Sequence, residues 1–272
     1  MIALVTGASG GFGETLAAFL VDKGMTVYGT MRNPEGRDRD DRFTMLPMEA
    51  TDSASVKACI AEVLQREGRI DVVINCVNQM FIGSAEEQTI EEVQSLYDTN
   101  VFGVMRICKE VVPVMREQGG GTIINMSSLG GLIAVPFMSA YTSAKFALEA
   151  YSEALYHELH ADHVDVVIMQ PVAMRMERPA SGAHLRVVEY ASADSFSHEM
   201  LAQMARDTAA SKLTPVMVAE KVAEIIARKK KPLRVPMDRA IPLTLIKRLA
   251  PQALLDRMIR GLVQGAKRGP NA

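Results

Sequence analysis

No uninterrupted apolar run in this 272-residue chain approaches the roughly 20 residues that a helix needs to cross a bilayer, so stable membrane insertion is not expected. An excess of one charge is missing too. Acids and bases are interspersed to a formal net charge of −2, which lacks the broad basic footprint of a nucleic-acid binder. Small molecules are the expected partners. Cysteine is scarce: Cys59, Cys76 and Cys108 cannot all pair within one chain, and each lies in an apolar run where a buried thiol is ordinary. They read as core thiols in a reducing compartment. The strand-like run Ile2 to Val5 follows Met1 directly, leaving no room for a signal peptide, and a cytoplasmic setting is the expectation. Linkers and fixed-period repeats are also lacking, and the charged stretch Glu35 to Arg42 is too short to divide domains. With 48% of its residues apolar, the chain can bury a sizeable core, and one domain over 1–272 is expected.

What is present is alternation. Short β-branched or apolar runs recur at Ile2 to Val5, Thr26 to Tyr28, Phe43 to Met48, Val72 to Asn75, Thr122 to Asn125 and Val164 to Met169. Helix-period segments lie between them: Gly13 to Asp22, Ser53 to Arg66 behind a Thr51/Asp52 cap, Glu86 to Lys109 with at least one break, and Ser139 to His160. Apolar strands separated by amphipathic helices predict an α/β fold, a doubly wound (Rossmann) parallel sheet covered by helices on both faces. Beyond Pro171 the alternation weakens into a Met-rich stretch to Ser211, a helix from Val216 to Ala227, a short strand near Leu233 to Val235 and apolar helical segments from Ile241. Residues 172–214 and 240–272 are expected to cover substrate or to form oligomer contacts.

Immediately after the first strand stands Thr6-Gly7-Ala8-Ser9-Gly10-Gly11-Phe12-Gly13. Glycines there permit a tight turn, let the backbone approach a pyrophosphate and aim a helix N-terminus at the anion. A structural strand-to-helix turn would need one or two of the same glycines, but the first-strand context favours a dinucleotide. The second strand ends Tyr28-Gly29-Thr30-Met31-Arg32, with no acid to accept from ribose hydroxyls and a guanidinium able to grip a 2′-phosphate. NADP(H) is therefore favoured over NAD(H). The plainer alternative puts Arg32 in the same solvated loop as Arg37, Arg39 and Arg42.

Ser127-Ser128 follows the fifth predicted strand, and Tyr141 and Lys145 lie one turn apart on the next helix. A phenol with an ordinary pKa of about 10 is a poor base near neutrality unless an adjacent cation stabilises the phenolate, which Lys145 is placed to do. The whole set, Thr6-Gly7-x-x-x-Gly11-x-Gly13, Asn100 in Asn100-Val101-Phe102-Gly103, Ser128, Tyr141 and Lys145, closely resembles the short-chain dehydrogenase/reductase family from Ile2 to about Pro171. The resemblance implies catalytic roles for Asn100, Ser128, Tyr141 and Lys145. Tyr141 exchanges a proton with the substrate oxygen, Ser128 polarises that oxygen, Lys145 lowers the Tyr pKa and holds the nicotinamide ribose, and Asn100 anchors a water. The segment Pro136 to Glu149 looks most like the hydroxysteroid and retinol dehydrogenase branch. That likeness implies Ser9 and Arg32 flanking the 2′-phosphate, Glu49 and Ala50 bordering adenine, and a bulky apolar alcohol or ketone as substrate. The cofactor set implied is Gly7, Ser9, Gly11, Phe12, Gly13, Arg32, Glu49, Ala50, Asn75, Tyr141, Lys145, Pro171 and Val172; Ser128, Tyr141 and Met174 would meet substrate. A homodimer or homotetramer is the expected assembly.

Two segments depart from that pattern. Where the family has Asn-Asn-Ala-Gly, this chain reads Asn75-Cys76-Val77-Asn78, placing side chains where small residues let the backbone run close to the ribose. Where a Pro-Gly pair and a Thr usually hold the carboxamide, it has Pro171-Val172 and Met176, a loss of one neutral hydrogen bond worth on the order of 1 kcal/mol. A non-catalytic NADP-binding sensor or scaffold, and an epimerase or dehydratase, are the alternatives. Met174, Met176, Met200 and Met204 suit either a plastic pocket or irregular core filling. His157, His160 and His163 lack the partners of a metal site, and Arg228 to Lys231 read as a solvated helix end. Ile241 to Leu249 and Leu254 to Val263 are amphipathic and would cover the cleft, pack across a dimer or lie on a membrane; mixed signs on their polar faces favour the first two.

Overall fold

A computed structural model describes residues 1–35, 42–176 and 186–268. Arg37 and Arg39, and part of the stretch after Pro171, lie outside the described residues. The chain runs β1 (Ile2–Thr6), α1 (Gly11–Asp22), β2 (Thr26–Met31), β3 (Thr44–Pro47), α2 (Ser53–Glu67), β4 (Val72–Asn75) and β5 (Phe81–Ile82). It continues with α3 (Ile90–Tyr97), a π-helical turn (Asp98–Phe102), α4 (Gly103–Glu117), β6 (Gly121–Met126), α5 (Ser139–Glu158) and β7 (Val164–Gln170). Last come β8 (Arg186–Val187), α6 (Phe196–Ala209), α7 (Pro215–Ala227), β9 (Arg234–Pro236), α8 (Ala240–Leu249) and α9 (Gln252–Arg268).

Seven strands form one parallel sheet in the order β3-β2-β1-β4-β6-β7-β9. Because successive strand residues point to opposite faces, β1 feeds two cores: Ala3 and Val5 pack with α1 and α7, Ile2 and Leu4 with α2 and α4. That is why its five residues are all buried and all apolar but Thr6. The chain winds outward from β1 to β3 and then returns to β4 on the other side. Ligands of open α/β sheets bind at such a reversal, beyond the carboxyl ends of the strands.

Three local differences from the sequence reading have physical causes. The long helix expected over Glu86 to Lys109 begins at Ile90, behind a Thr89/Glu92 capping box that reciprocally satisfies end amides. Its break is the π turn, and it then runs past Pro113 to Glu117 because Val111, Val112 and Met115 are buried against the sheet. The Met-rich stretch contains α6, started by the Ser195 hydroxyl accepting from Ser197 N. A third apolar cluster joins β5, α3, α5 and α6 and holds Phe81, Leu96, Val101, Met138, Tyr141 and Met200.

Candidate active site

The glycine turn fits a phosphate cradle. Gly7 and Gly11 have φ of 68° and 59°, in the left-handed region that side chains avoid. A Cβ on Gly7 would lie 3.1 Å from Val77 N, and one on Gly13 would collide with the Gly7 carbonyl. The turn therefore closes tightly on the start of α1 and on the segment after β4. Its position is fixed by Ala8 N donating to Thr30 O at 2.8 Å and Cys76 N donating to Thr6 Oγ1 at 3.1 Å. Gly10 gives α1 no side-chain cap, as in α4, α5 and α8, and the helix starts directly from the glycine turn, where its first-turn amides suit an anion. Phe12 and Ser9 are half-buried beside it.

Arg32, just past β2, is exposed and pairs with no acid among the described residues. Glu49 and Ala50 follow β3; the Glu49 carboxylate accepts from Thr51 N at 3.1 Å, and Ala50 is buried under Gly103 of α4. All of these lie along the carboxyl edge of the sheet.

Tyr141 and Lys145 project from the buried face of α5, with 8% and 2% of their surface exposed. Lys145 Nζ lies 5.7 Å from the centre of the Tyr141 ring and donates to the Met126 carbonyl at 2.9 Å, at the end of β6. Burial pulls the ammonium down to about 8, opposed by Cys76 and Glu149. Burial raises the phenol above its ordinary value, and a hydrogen bond with the Ser128 side chain pulls the other way. Ser128 Oγ also accepts from Gly130 N at 3.1 Å, while Leu129 N donates to the Pro171 carbonyl at 2.9 Å. The ends of β6 and β7 are tied together there, with Pro171 and Val172 buried beside Ser128.

Asn100 is fully buried in the π turn, at the kind of local unwinding often found at functional sites. Its amide accepts from Gln79 N and donates to Gln79 O, both at 2.7 Å. It thus clamps the segment whose residues depart from the expected pattern. The Asn75 side chain turns inward: Nδ2 donates to Asn125 Oδ1 at 2.8 Å, and Asn125 passes the chain to Ser152. Asn75 Oδ1 is buried and accepts no hydrogen bond among the described residues. Met174 packs against the core cluster beside Val172, whereas Met200 and Met204 sit with the Tyr141 ring. Phe81 and Met138 share the apolar cluster of Tyr141, and their only signal in the sequence was apolarity.

These elements, in this order, place a phenol, an ammonium and a hydroxyl beside a glycine cradle, and the sequence profile of the short chain dehydrogenases matches residues 1–182. The chain belongs to the short-chain dehydrogenase family. A 3-ketodihydrosphingosine reductase of Bacteroides thetaiotaomicron is 42% identical to this short-chain dehydrogenase over 170 residues, covering 62% of each protein, so the chain matches less than two thirds of that relative. The oxidoreductase calM of Penicillium decumbens is 30% identical over 250 residues, 86% of this chain and 82% of that protein. In three dimensions, a short-chain dehydrogenase of Streptomyces avermitilis superposes with a TM-score of 0.80 at 30% identity, covering 100% of this chain and 98% of the other. Cys59 and Cys108 are buried core thiols, pushed up to about 12 by burial, whereas Cys76, expected in the core as well, is half-buried. Among the described residues no group of His, Cys, Asp and Glu is arranged to hold a metal, and no helix is long and apolar enough to cross a membrane.

Proposed function

We propose that this short-chain dehydrogenase is an NADP(H)-dependent oxidoreductase that interconverts a hydrophobic ketone or aldehyde and its alcohol. The observation that carries the reading is the burial of Tyr141 and Lys145 on one face of α5, with Ser128 against the phenol and the glycine cradle alongside. In this proposal the first turn of α1 holds the pyrophosphate, Ser9 and Arg32 hold the 2′-phosphate, and Glu49 and Ala50 border the adenine. Main chain at Asn75, Pro171 and Val172 borders the nicotinamide side. When bound, the nicotinamide supplies or takes the hydride.

Ser128 donates a hydrogen bond to the carbonyl oxygen and polarises it, and Tyr141 gives that oxygen its proton. A phenol raised by burial stays protonated near neutral pH, so the resting site is loaded for reduction. The Lys145 ammonium, charged below about 8, stabilises the phenolate that remains. Tyr141 belongs to an apolar cluster with Phe81, Met138 and Met200, surroundings that suit a hydrophobic substrate. The name of the Bacteroides relative points the same way, to a keto-lipid. A non-catalytic sensor is the weaker reading, because the departures at Cys76 to Asn78 and Met176 leave the phenol, ammonium and hydroxyl assembled.

The test is reduction of a panel running from aromatic ketones to long-chain 3-keto lipids, followed by NADPH consumption. At least one member should turn over, and Tyr141→Phe should abolish turnover while NADPH binding persists. Should no ketone be reduced and no matching alcohol oxidised, or should the Phe variant keep its rate, the proposal fails.

A further inference from the structure

The proposed reaction leaves α8 and α9 without a use. α8 runs beside β9 and is held by Lys247, whose ammonium donates to the Leu132 carbonyl and lies 4.6 Å from the centre of the Phe146 ring. α9 packs on α6 and buries Leu255. With those faces engaged, the opposite edge of α8 presents Ile241, Leu245 and Leu249, four residues apart, to solvent at 57, 60 and 75% exposure. Leu254, at the start of α9, extends the row at 49%. An apolar stripe this open neither covers the Tyr141 cleft nor fills a core.

The charge of the same segment is lopsided. From Ala240 to Arg268 it contains six Lys and Arg against the single acid Asp256, a net of +5, which leaves −7 on the rest of a chain whose total is −2. Arg257 and Arg260 follow Leu254 by one and nearly two turns, and both are exposed. Counted over both helices, the balance is predominantly basic, which favours an anionic surface over the cleft cover or dimer contact that the sequence reading preferred.

We propose that α8 and α9 form a docking surface for an anionic phospholipid membrane, with Ile241, Leu245, Leu249 and Leu254 dipping into the headgroup boundary and Arg257 and Arg260 on the lipid phosphates. An interfacial helix of this kind needs both apolar area and cations, and neither helix is long and apolar enough to span. A second copy is the wrong occupant. A two-fold contact sets the same patch against itself, and here that brings the exposed Arg257 and Arg260 of one copy towards those of the other. The −7 body is repelled by the anionic surface that attracts the helices, so the molecule settles with this face down and the rest of the sheet away from the lipid.

The experiment is sedimentation of the full chain with vesicles of phosphatidylcholine, with and without phosphatidylglycerol. Protein should pellet with the anionic vesicles, remain in solution with the neutral ones, and be released by added salt. Arg257→Gln and Arg260→Gln should each weaken partitioning by about fivefold. Leu245→Glu should weaken it further, with Leu245→Ser as the milder variant if the first disturbs the fold as read by circular dichroism. Protein that stays in solution with both vesicle types overturns the proposal, as does equal pelleting with both. So does a Leu245 variant that binds vesicles normally but turns a dimer into a monomer by light scattering. Vesicle binding needs no turnover, so its failure is separable from failure of the proposed reaction.

Discussion

Lys145 is a cation with 2% of its surface exposed and one carbonyl, that of Met126, to receive its proton. Folding lowers its pKa from 10.5 to about 8, and the sign of the consequence follows. Between those two values the unfolded chain holds more protons than the folded one, so rising pH favours folding through this group; below 8 the fold carries a buried charge. Lys145→Met removes that burden. The stability of the variant relative to the parent should therefore be highest near pH 7 and decline as pH rises through 8 towards 10.5. Melting temperatures over that range give the answer, and a constant offset between the two proteins would remove burial as the cause. Tyr141, raised where Lys145 is lowered, is the complementary half: one group keeps its proton while its neighbour is readied to lose one.

At the scale of elements, the β1–α1 turn has the least freedom. The Cβ of an alanine at Gly13 would press on the Gly7 carbonyl and on Ala8 Cα, both backbone, so neither can swing aside. Gly13→Ala should cost about 1–3 kcal/mol, roughly 2–4 °C of melting temperature per kcal/mol in a chain of this size, and weaken NADPH affinity in the same preparation. Gly261→Ala, inside α9 with nothing within 4 Å of the new methyl, is the control and should be neutral or slightly stabilising. Equal melting losses for the two would mean that steric closure of the turn is not what matters. This turn was legible because its glycines are chemically obligatory. The π turn was legible only as a break: Asp98 to Phe102 are all weak helix formers, but the bonding of Asn100 to the main-chain N–H and C=O of Gln79 is a tertiary contact with no local signature. The two-residue strands β5 and β8 carry no period to detect, since pairing between Phe81 and Arg186 makes them strands at all.

Across the whole molecule, the alternation of strand and helix was readable because a parallel sheet leaves apolar runs between amphipathic helices, whereas the strand order comes from the hydrogen-bonded pairing. Side-chain direction was the hidden part. Asn75 stands at a strand end as expected yet donates its amide to Asn125 inside the sheet, where Asn125 in turn donates to Ser152 of the adjacent α5. The same geometry makes the cofactor a global staple. The proposed cradle joins the ends of β1, β2, β3, β4, β6 and β7, so a bound dinucleotide has to be released before those elements separate, and its binding energy adds to unfolding stability. At 100 times its dissociation constant a ligand of the folded state contributes about 2.7 kcal/mol, equivalent to roughly 5–11 °C at this chain length. If Arg32 holds a 2′-phosphate, NADPH should raise the melting temperature well above the value reached with NADH at the same concentration, and Arg32→Ala should bring the two together. Identical shifts in the parent protein would take Arg32 off the phosphate, because the two cofactors differ only in the group it is proposed to grip.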